Sequence, residues 1–184
     1  FKDKRILLGV TGGIAAYKSA DLASQLVQRG AIVDVVMTES ATKFVAPLTF
    51  ETLTRRPVYV GLWDEHAATP NHIALSDRPD LAVVAPATGN TLAKLAHGIA
   101  DNLLTSTLLA CKAPLLVAPA MNVNMWDHPA TQANLKLLQS RGVRVVGPVA
   151  GRLACGTVGM GRMAEPEAIL EAIEAILRGK RART

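Results

Sequence analysis

The sequence predicts a three-layer α/β fold, an open parallel sheet with helices on both faces. Short apolar runs recur along the chain and are hydrophobic at nearly every position, as in strands that are buried on both faces. Segments with helical spacing of Ala, Leu and Val separate these runs, so strands alternate with helices. Because no internal repeat or domain boundary interrupts this alternation, one domain is predicted over residues 1–177.

The first half of the chain contains three predicted strands. They are apolar runs of strand length at residues 5–10, 31–37 and 81–85. Helices are predicted at residues 14–29, 48–54 and 91–97, with a loop over residues 60–71 and a short segment at 72–76. Gly30 ends the first helix, since glycine readily adopts the left-handed conformation of a helix C-terminus. Thr38 can cap a short helix that leads to Phe44.

The second half continues the alternation. In order, it contains a helix at residues 103–111, strands at 115–118 and 143–146 with a helix at 129–140 between them, a glycine-rich loop at 147–161 and a helix at 165–177. Pro114 opens the first of these strands, and Pro119 ends it because proline cannot donate a sheet hydrogen bond. This pattern is typical of Rossmann-like or flavodoxin-like sheets.

Composition and charge exclude several classes of protein. With 49% hydrophobic and 19% charged residues, the chain of 184 residues is expected to be globular. Much of its net charge of +5 comes from a basic end, with Arg178, Lys180, Arg181 and Arg183. The charge therefore does not predict nucleic-acid binding. We interpret residues 178–184 as a basic tail or the stub of a linker.

The cysteines and the apolar runs indicate in which cellular compartment the protein is expected. Cys111 and Cys155 form no CxxC pair and have no metal-ligand spacing with a histidine, so neither a disulfide framework nor a metal site is predicted. A reducing cytoplasm is the expected location. No apolar run reaches the roughly 18 residues of a membrane span, so no membrane partner is expected.

Polar residues follow several of the predicted strands, at the edge where such sheets place their ligands. Residues 11–13 (TGG) open a helix, a context in which backbone amides can bind a phosphate, but they match neither GxGxxG nor a P-loop. Two more strand ends present hydroxyl and amide groups, at Thr38, Ser40, Thr88, Asn90 and Thr91. Each loop alone is more often ordinary helix capping. Together they favour one mononucleotide-like ligand.

Three further side chains could perform chemistry. Asn122 follows a strand and its NH2 donors can hold a carboxylate, although a packed strand end explains residues 119–126 equally well. His72 could transfer a proton, although a lone histidine is more often structural or simply exposed. Cys155 lies in the glycine-rich loop beside Arg152 and could act as a thiol acid or nucleophile, whereas Cys111 is expected in the core.

Taken together, these motifs resemble those of the phosphopantothenoylcysteine decarboxylase family, within the homo-oligomeric flavin-containing cysteine decarboxylases. His72 follows Asn71, and residues 119–126 (PAMNVNMW) match the PxMNxxMW motif. Residues 86–91 (PATGNT) match PASANT, with Thr and Gly in place of Ser and Ala. A cysteine-bearing substrate clamp corresponds to residues 153–163. The resemblance extends from residue 5 to about residue 177.

The resemblance implies FMN-dependent decarboxylation of 4'-phosphopantothenoylcysteine to 4'-phosphopantetheine and CO2 in coenzyme A biosynthesis. The substrate thiol would be oxidised to a thioaldehyde, CO2 would leave to form an enethiol, and reduced flavin would return the electrons. By the same motif matches, FMN would contact Gly12, Gly13, Ile14, Thr38, Ser40, Thr88, Asn90, Thr91 and Met121.

Specific roles also follow from the resemblance. His72 would be the base of the oxidative step, Asn122 would orient the substrate carboxylate, and Cys155 would donate the proton of the reductive step. With Asn122, the substrate would be held by Arg152, Ala154 and Met163. Members of the family assemble as homotrimers and, in bacteria, commonly as homododecamers with flavin at subunit contacts. His72 could therefore act on its own or a neighbouring subunit's flavin.

A ligase that makes the substrate, phosphopantothenoylcysteine synthetase, is often fused to bacterial members of the family. The basic tail would then mark the start of the linker. Three other functions share the fold: flavin prenyltransferase, peptidyl-cysteine decarboxylase and a non-catalytic flavin-binding regulatory subunit. Asn122 and Cys155 together argue against the first, and Cys155 argues against the second. The third usually has acidic extensions, which this sequence does not show.

Overall fold

A computed structural model describes residues 1–63, 71–154 and 156–181 of the chain. Its strands are β1 Arg5–Val10, β2 Ile32–Met37, β3 Val58–Tyr59, β4 Leu81–Ala87, β5 Leu115–Pro119, β6 Arg144–Val145, β7 Val149–Arg152 and β8 Val158–Arg162. The first six form one parallel sheet in the order β3-β2-β1-β4-β5-β6. Strands β7 and β8 form a separate antiparallel hairpin.

Helices connect the parallel strands. They are α1 Ala16–Gln28, α2 Glu39–Thr42, α3 Pro47–Thr54, α4 Asn71–Ser76, α5 Gly89–His97, α6 Leu103–Ala110, α7 Val123–Asp127, α8 Pro129–Ser140 and α9 Pro166–Arg181. Local signals set several boundaries. Asn102 begins α6 by accepting the backbone amide of Thr105 at 3.0 Å. Gly98, with φ of +69°, ends α5. None of the helices in the described part of the chain is long and apolar enough to cross a membrane.

The sheet separates two hydrophobic cores, one on each face. Alternate residues of a strand face opposite sides, so Ile6 and Leu8 pack in one core and Leu7 packs in the other. Buried residues of α1, α3 and α9 belong to the first core, and those of α5, α6 and α8 belong to the second. Each fully buried leucine contributes roughly 1.5–3 kcal/mol to folding. The predicted open sheet with helices on both faces is confirmed.

The order of the strands places a crevice between β1 and β4. The chain runs outward from β1 to β2 and β3, then returns past β1 to β4 on its other side. At such a switch point the loops after neighbouring strands diverge and leave room for a ligand. Thr11 joins the two loops at their base, because its hydroxyl donates to the carbonyl of Pro86 at 2.7 Å.

Several predictions of elements were wrong. Residues 147–161, predicted as a glycine-rich loop, contain β7 and most of β8, and the short strand β3 was not predicted. Of the predicted loop at residues 60–71, residues 64–70 lie outside the described part of the chain. Glycines at 151, 159 and 161 lower the local strand propensity, so pairing with the rest of the fold decides the structure. Helix α9 continues to Arg181, beyond the predicted end at residue 177. The basic stretch therefore begins as helix, and residues 182–184 lie outside the described part.

Candidate functional site

A cavity of about 1440 Å³ opens at the carboxyl ends of the five strands β1 to β5. Its walls come from the loops after these strands, the β7–β8 hairpin and the loop before α6. Pockets for single drug-sized ligands measure about 300–1,000 Å³. The volume is therefore large enough for a nucleotide-sized cofactor together with a second molecule.

The turn after β1 forms one end of the cavity and is built around glycine. A Cβ at Gly12 would overlap the side chain of Ser40 and would lie 2.9 Å from the Ser40 carbonyl carbon. Glycine therefore allows the loops after β1 and β2 to touch. Gly13 and Ile14 also line the cavity, and Ile14 is 60% exposed. Helix α1 begins at Ala16, and the backbone amides at such a helix start attract an anion.

The predicted hydroxyl groups line the cavity, and two of them cap helices. Thr38 accepts the amide of Ala41 at 3.3 Å and begins α2. Thr88 accepts the amide of Thr91 at 3.3 Å and begins α5, while its own hydroxyl donates to the Thr91 hydroxyl at 3.1 Å. Ser40 and Asn90 line the same cavity and are exposed. The loops after β2 and β4 are thus held rigid by caps that also line the cavity.

The segment after β5 brings Met121 and Asn122 to the cavity. Asn122 begins α7, because its side chain accepts the backbone amide of Asn124 at 2.8 Å. The backbone of Met121 donates to the carbonyl of Gly161 at 3.0 Å, which joins this segment to the hairpin. Two regions far apart in sequence, around residues 121 and 161, are therefore neighbours at the site.

The predicted substrate clamp lines the same cavity. Arg152 and Ala154 are exposed at the end of β7, whereas Met163 is 1% exposed and packs in the first core while lining the cavity floor. The amide of Leu153 donates to the carbonyl of Thr157 at 2.8 Å across the hairpin turn. Cys155, the predicted acid, lies outside the described residues. The site prediction for this cysteine therefore stays a prediction.

Charged residues that the sequence reasoning missed also line the cavity. Lys18 donates to both oxygens of Glu165, at 2.7 and 2.8 Å, and Arg162 donates to Glu165 at 2.7 Å. The hydrogen bonds and charge of Lys18, assisted by Arg162, lower the pKa of Glu165 below its usual value. Within the described part of the chain, Arg152 forms no ion pair. It is thus the cavity cation that is best placed to receive an anionic ligand.

A third ion pair lies in the cavity wall near α6. Lys94 donates to the two carboxylate oxygens of Asp101 at 2.9 and 2.7 Å, and these hydrogen bonds lower the pKa of Asp101. Both residues line the cavity. Asparagine is a typical residue before the first turn of a helix, so Asn102 could have indicated from the sequence that a helix begins beside the cavity.

His72 does not line this cavity. It lies on α4, which packs against α6, and its Nδ1 atom is buried without a hydrogen-bond partner among the described residues. The structure therefore brings together the predicted cofactor residues, Asn122 and the clamp residues Arg152, Ala154 and Met163, but it does not bring His72 to the cavity of its own chain.

A parallel sheet with a nucleotide-sized cavity at its switch point defines a nucleotide-binding α/β protein. The chain belongs to the Flavoprotein family, which it matches over residues 1–178. A flavin is accordingly the cofactor class of this site. The chain is 51% identical over 173 residues to the coenzyme A biosynthesis bifunctional protein CoaBC of Bacillus subtilis, covering 94% of this chain and 43% of that protein. It thus spans less than half the length of the bifunctional relatives.

Shorter relatives and solved structures agree with this family. A probable phosphopantothenoylcysteine decarboxylase of Streptococcus mutans is 47% identical over 174 residues, covering 93% of this chain and 97% of that protein. A PPC decarboxylase mutant complexed with pantothenoylaminoethenethiol superposes with a TM-score of 0.84 at 34% identity, covering 95% of this chain and 98% of that chain. The FMN-dependent cysteine decarboxylase SpaF gives 0.82 at 32% identity, covering 96% of each chain. The resemblance seen in the sequence motifs is confirmed.

Proposed function

We propose that this chain catalyses the FMN-dependent decarboxylation of 4'-phosphopantothenoylcysteine to 4'-phosphopantetheine and CO2, a step of coenzyme A biosynthesis. The main observation is that Asn122 and the hairpin residues Arg152 and Ala154 line one cavity with the glycine turn after β1. Relatives named for this activity, or for coenzyme A biosynthesis, are 47–51% identical to the chain. Both observations support the same reaction.

The residues that are present fit FMN better than a dinucleotide. The turn over residues 11–13 has no GxGxxG pattern, while Gly12 forms a tight junction with Ser40 that a larger residue would block. We assign the phosphate to the backbone amides of Gly12, Gly13 and Ile14 and to the Ser40 hydroxyl. The rest of the cofactor would be held by Thr38, Thr88, Asn90, Thr91 and Met121.

The reaction needs an electron sink, because a plain CH2–SH group cannot accept the electron pair that CO2 leaves behind. Bound FMN supplies the acceptor for two electrons of the substrate thiol and later returns them. The protein orients the substrate: the Nδ2 donors of Asn122 hold the carboxylate that departs, and Arg152 binds an anionic group of the substrate. Once the C=S group has accepted the electron pair, the enethiol carbon requires a proton, which we assign to the Cys155 thiol.

We further propose that His72 serves a neighbouring subunit. It lies away from the cavity of its own chain, and exposed apolar side chains occur on α4, on α6, which packs against α4, and in the loop before α6 (Ile73, Leu109 and Ile99). A homotrimer, or a homododecamer built from trimers, would bring His72 to a second chain's cavity. A site completed across a subunit boundary would account for a base that lies outside the cavity of its own chain.

The name of the bifunctional relatives supports a phosphopantothenoylcysteine synthetase as the second partner, fused or separate. A cytoplasmic location is proposed with it. Peptidyl-cysteine decarboxylation is less well supported, since the relatives at 47–51% identity are named for coenzyme A biosynthesis or for phosphopantothenoylcysteine decarboxylation. No contact observed in the described part of the site favours a prenyltransferase or a regulatory subunit.

The test is direct. Purified protein reconstituted with FMN should be yellow and should release CO2 from 4'-phosphopantothenoylcysteine, with 4'-phosphopantetheine as the product. A peptide with a C-terminal cysteine, offered in parallel, should not be decarboxylated at a comparable rate. Protein that cannot retain FMN, or that acts on the peptide alone, would contradict the proposal.

A further inference from the structure

Strand β8 lies directly against the segment that contains Asn122. Its Gly161 carbonyl accepts the backbone amide of Met121 at 3.0 Å, and α7, which begins at Val123, packs on this strand. The pairing of β7 and β8 shifts in register at Gly161, and both Gly159 and Gly161 meet the Asn122 segment, Gly159 at Val123 and Gly161 at Met121. The two positions of β8 that contact this segment are therefore both glycine.

This contact leaves no room for a side chain. A Cβ at Gly161 would overlap the carbonyl oxygen of Met121, and a Cβ at Gly159 would lie 2.9 Å from Cγ2 and 3.4 Å from Cγ1 of Val123. Real carbon atoms in proteins do not approach to 2.9 Å, since their optimal separation is about 3.5–4.0 Å. At Gly161 the overlap is with backbone, so a larger residue must push the hairpin away from the Asn122 segment. At Gly159 the overlap is with the γ-carbons of Val123, so a larger residue must push the hairpin away from α7 or turn the Val123 side chain.

The two glycines differ in backbone conformation, which makes one of them the better probe. Gly161 has a φ of +148°, so any substitution there strains the backbone as well as filling space. Gly159 is not among the positive-φ glycines. Alanine at position 159 therefore tests the close approach alone.

We infer that Gly159 is a positioning residue for the decarboxylation reaction, an inference that rests on the proposed function. Across the hairpin Gly159 pairs with Gly151, and the next pair joins Val158 to Arg152. A displacement of β8 is therefore passed directly to Arg152 and to the residues that follow it. The close docking at Gly159 sets the distance between the substrate groups held by Arg152 and Ala154 and the carboxylate held by Asn122.

The test uses a compensating pair of substitutions. Gly159→Ala should raise KM for 4'-phosphopantothenoylcysteine about 10- to 100-fold, the range expected for a misplacement of about 1 Å, while FMN stays bound. Val123→Ala removes both γ-carbons and leaves the Val123 Cβ at 3.8 Å, an ordinary contact distance. The double variant should therefore return KM to within about threefold of wild type.

A second readout does not depend on activity. The Met121 amide, which donates to Gly161, should exchange its hydrogen faster in Gly159→Ala than in wild type, and the double variant should restore its protection. Gly142→Ala serves as the control. Gly142 has a φ of +88°, and a Cβ added there would meet no described atom within 4 Å, so its substitution lowers the melting temperature without changing KM.

The outcomes distinguish the positioning role of Gly159 from the proposed decarboxylase function. Unchanged KM and unchanged exchange in Gly159→Ala overturn the positioning role, as does a raised KM that Val123→Ala fails to lower. If Gly159→Ala does not fold, the double variant with Val123→Ala tests the positioning role instead. Removing the overlap must then restore both folding and KM. If the wild-type protein releases no CO2 from the substrate, the proposed function fails, and amide exchange still tests the docking contact by itself.

Discussion

Asn122 has a structural role and a proposed chemical role. Its side-chain oxygen accepts the Asn124 amide at 2.8 Å and begins α7. Ser, Asp and Asn are nearly equivalent at this position of a helix, so the cap alone does not require an amide. What an amide adds is a pair of NH donors without a negative charge. Such a group suits a position where a substrate carboxylate must be held and then released as CO2.

Asn122→Asp separates these two roles. Aspartate keeps the cap, so α7 and FMN binding should be preserved. A second carboxylate facing the substrate carboxylate costs several kcal/mol, so decarboxylation should fall by about 100-fold or more. CO2 release and flavin absorbance measure the two effects. Asn124→Asp, the same change at an exposed residue two positions on, should retain activity. Normal turnover by Asn122→Asp would remove Asn122 from carboxylate binding.

Cys155→Ser tests the proposed proton donor. A serine hydroxyl is a much weaker acid than a thiol, so the variant should still oxidise the substrate and release CO2 but should stall at the enethiol. Mass spectrometry of the product would show a compound two hydrogens lighter than 4'-phosphopantetheine. Cys111→Ser, at the end of α6, is the matched control and should turn over normally. Complete turnover by Cys155→Ser would exclude the cysteine from the reductive step.

At the scale of elements, Glu165 links the hairpin to the helix that follows the glycine turn. It accepts from Lys18 of α1 and from Arg162 of β8, at 2.7 Å in each case. Glu165 is half exposed, so the pair contributes only about 0–1 kcal/mol to stability. The contact matters mainly for geometry, because one carboxylate connects α1, which follows the loop that would bind the cofactor phosphate, with the hairpin that would hold the substrate.

The pH dependence of this link follows from the pKa of Glu165. That pKa is lowered by Lys18 and Arg162, so the stabilisation is complete above the unfolded-state pKa and is lost as the pH falls through the lower folded-state value. Glu165→Gln should therefore lower the melting temperature at neutral pH by up to about 4 °C, and the difference should vanish in acid. Glu171→Gln, an exposed change on α9, should show no such pH-dependent difference. A pH-independent effect of Glu165→Gln would contradict the assignment.

At the scale of the whole molecule, the position of His72 is the feature that a single chain leaves unexplained. Its Nδ1 atom is buried without a partner among the described residues, and the residue does not reach the cavity of its own chain. Most homo-oligomers are symmetric, so in the proposed assembly a residue that lies outside its own site would enter the equivalent site of a neighbour. Assembly would thus complete every site at once.

Mixed oligomers test this arrangement. His72→Asn and Asn122→Asp should each be inactive as pure oligomers. When the two are co-expressed in equal amounts, about a quarter of the sites should combine an intact Asn122 with an intact His72 from the neighbour, and activity should return in proportion. Oligomers mixed from wild type and Asn122→Asp show how much activity is measured when a known fraction of the sites is intact. A mixture of the two inactive variants that stays inactive would place His72 outside the neighbouring site.

The parallel sheet and its ligand edge were predictable because their signals are local. Apolar runs such as residues 5–10 and 81–85 are typical of buried strands, and Gly98 or Asn102 mark helix ends by their own conformational preferences. The alternation of strands and helices also predicts that the polar loops at Thr38 and Thr88 lie at strand ends. The hairpin was not predictable in this way, because Gly151 and Gly159 disfavour a strand unless another element covers them.

The fold class, the strand ends that meet at the cavity and the motifs that identify the family were all predictable from the amino-acid sequence, because each depends on residues close together in the chain. The folded structure was needed to show that the β7–β8 hairpin docks on α7, that Lys18 joins Glu165, and that His72 lies away from its own cavity. These features depend on contacts between segments tens to more than a hundred residues apart, where packing and close approach outweigh local preference.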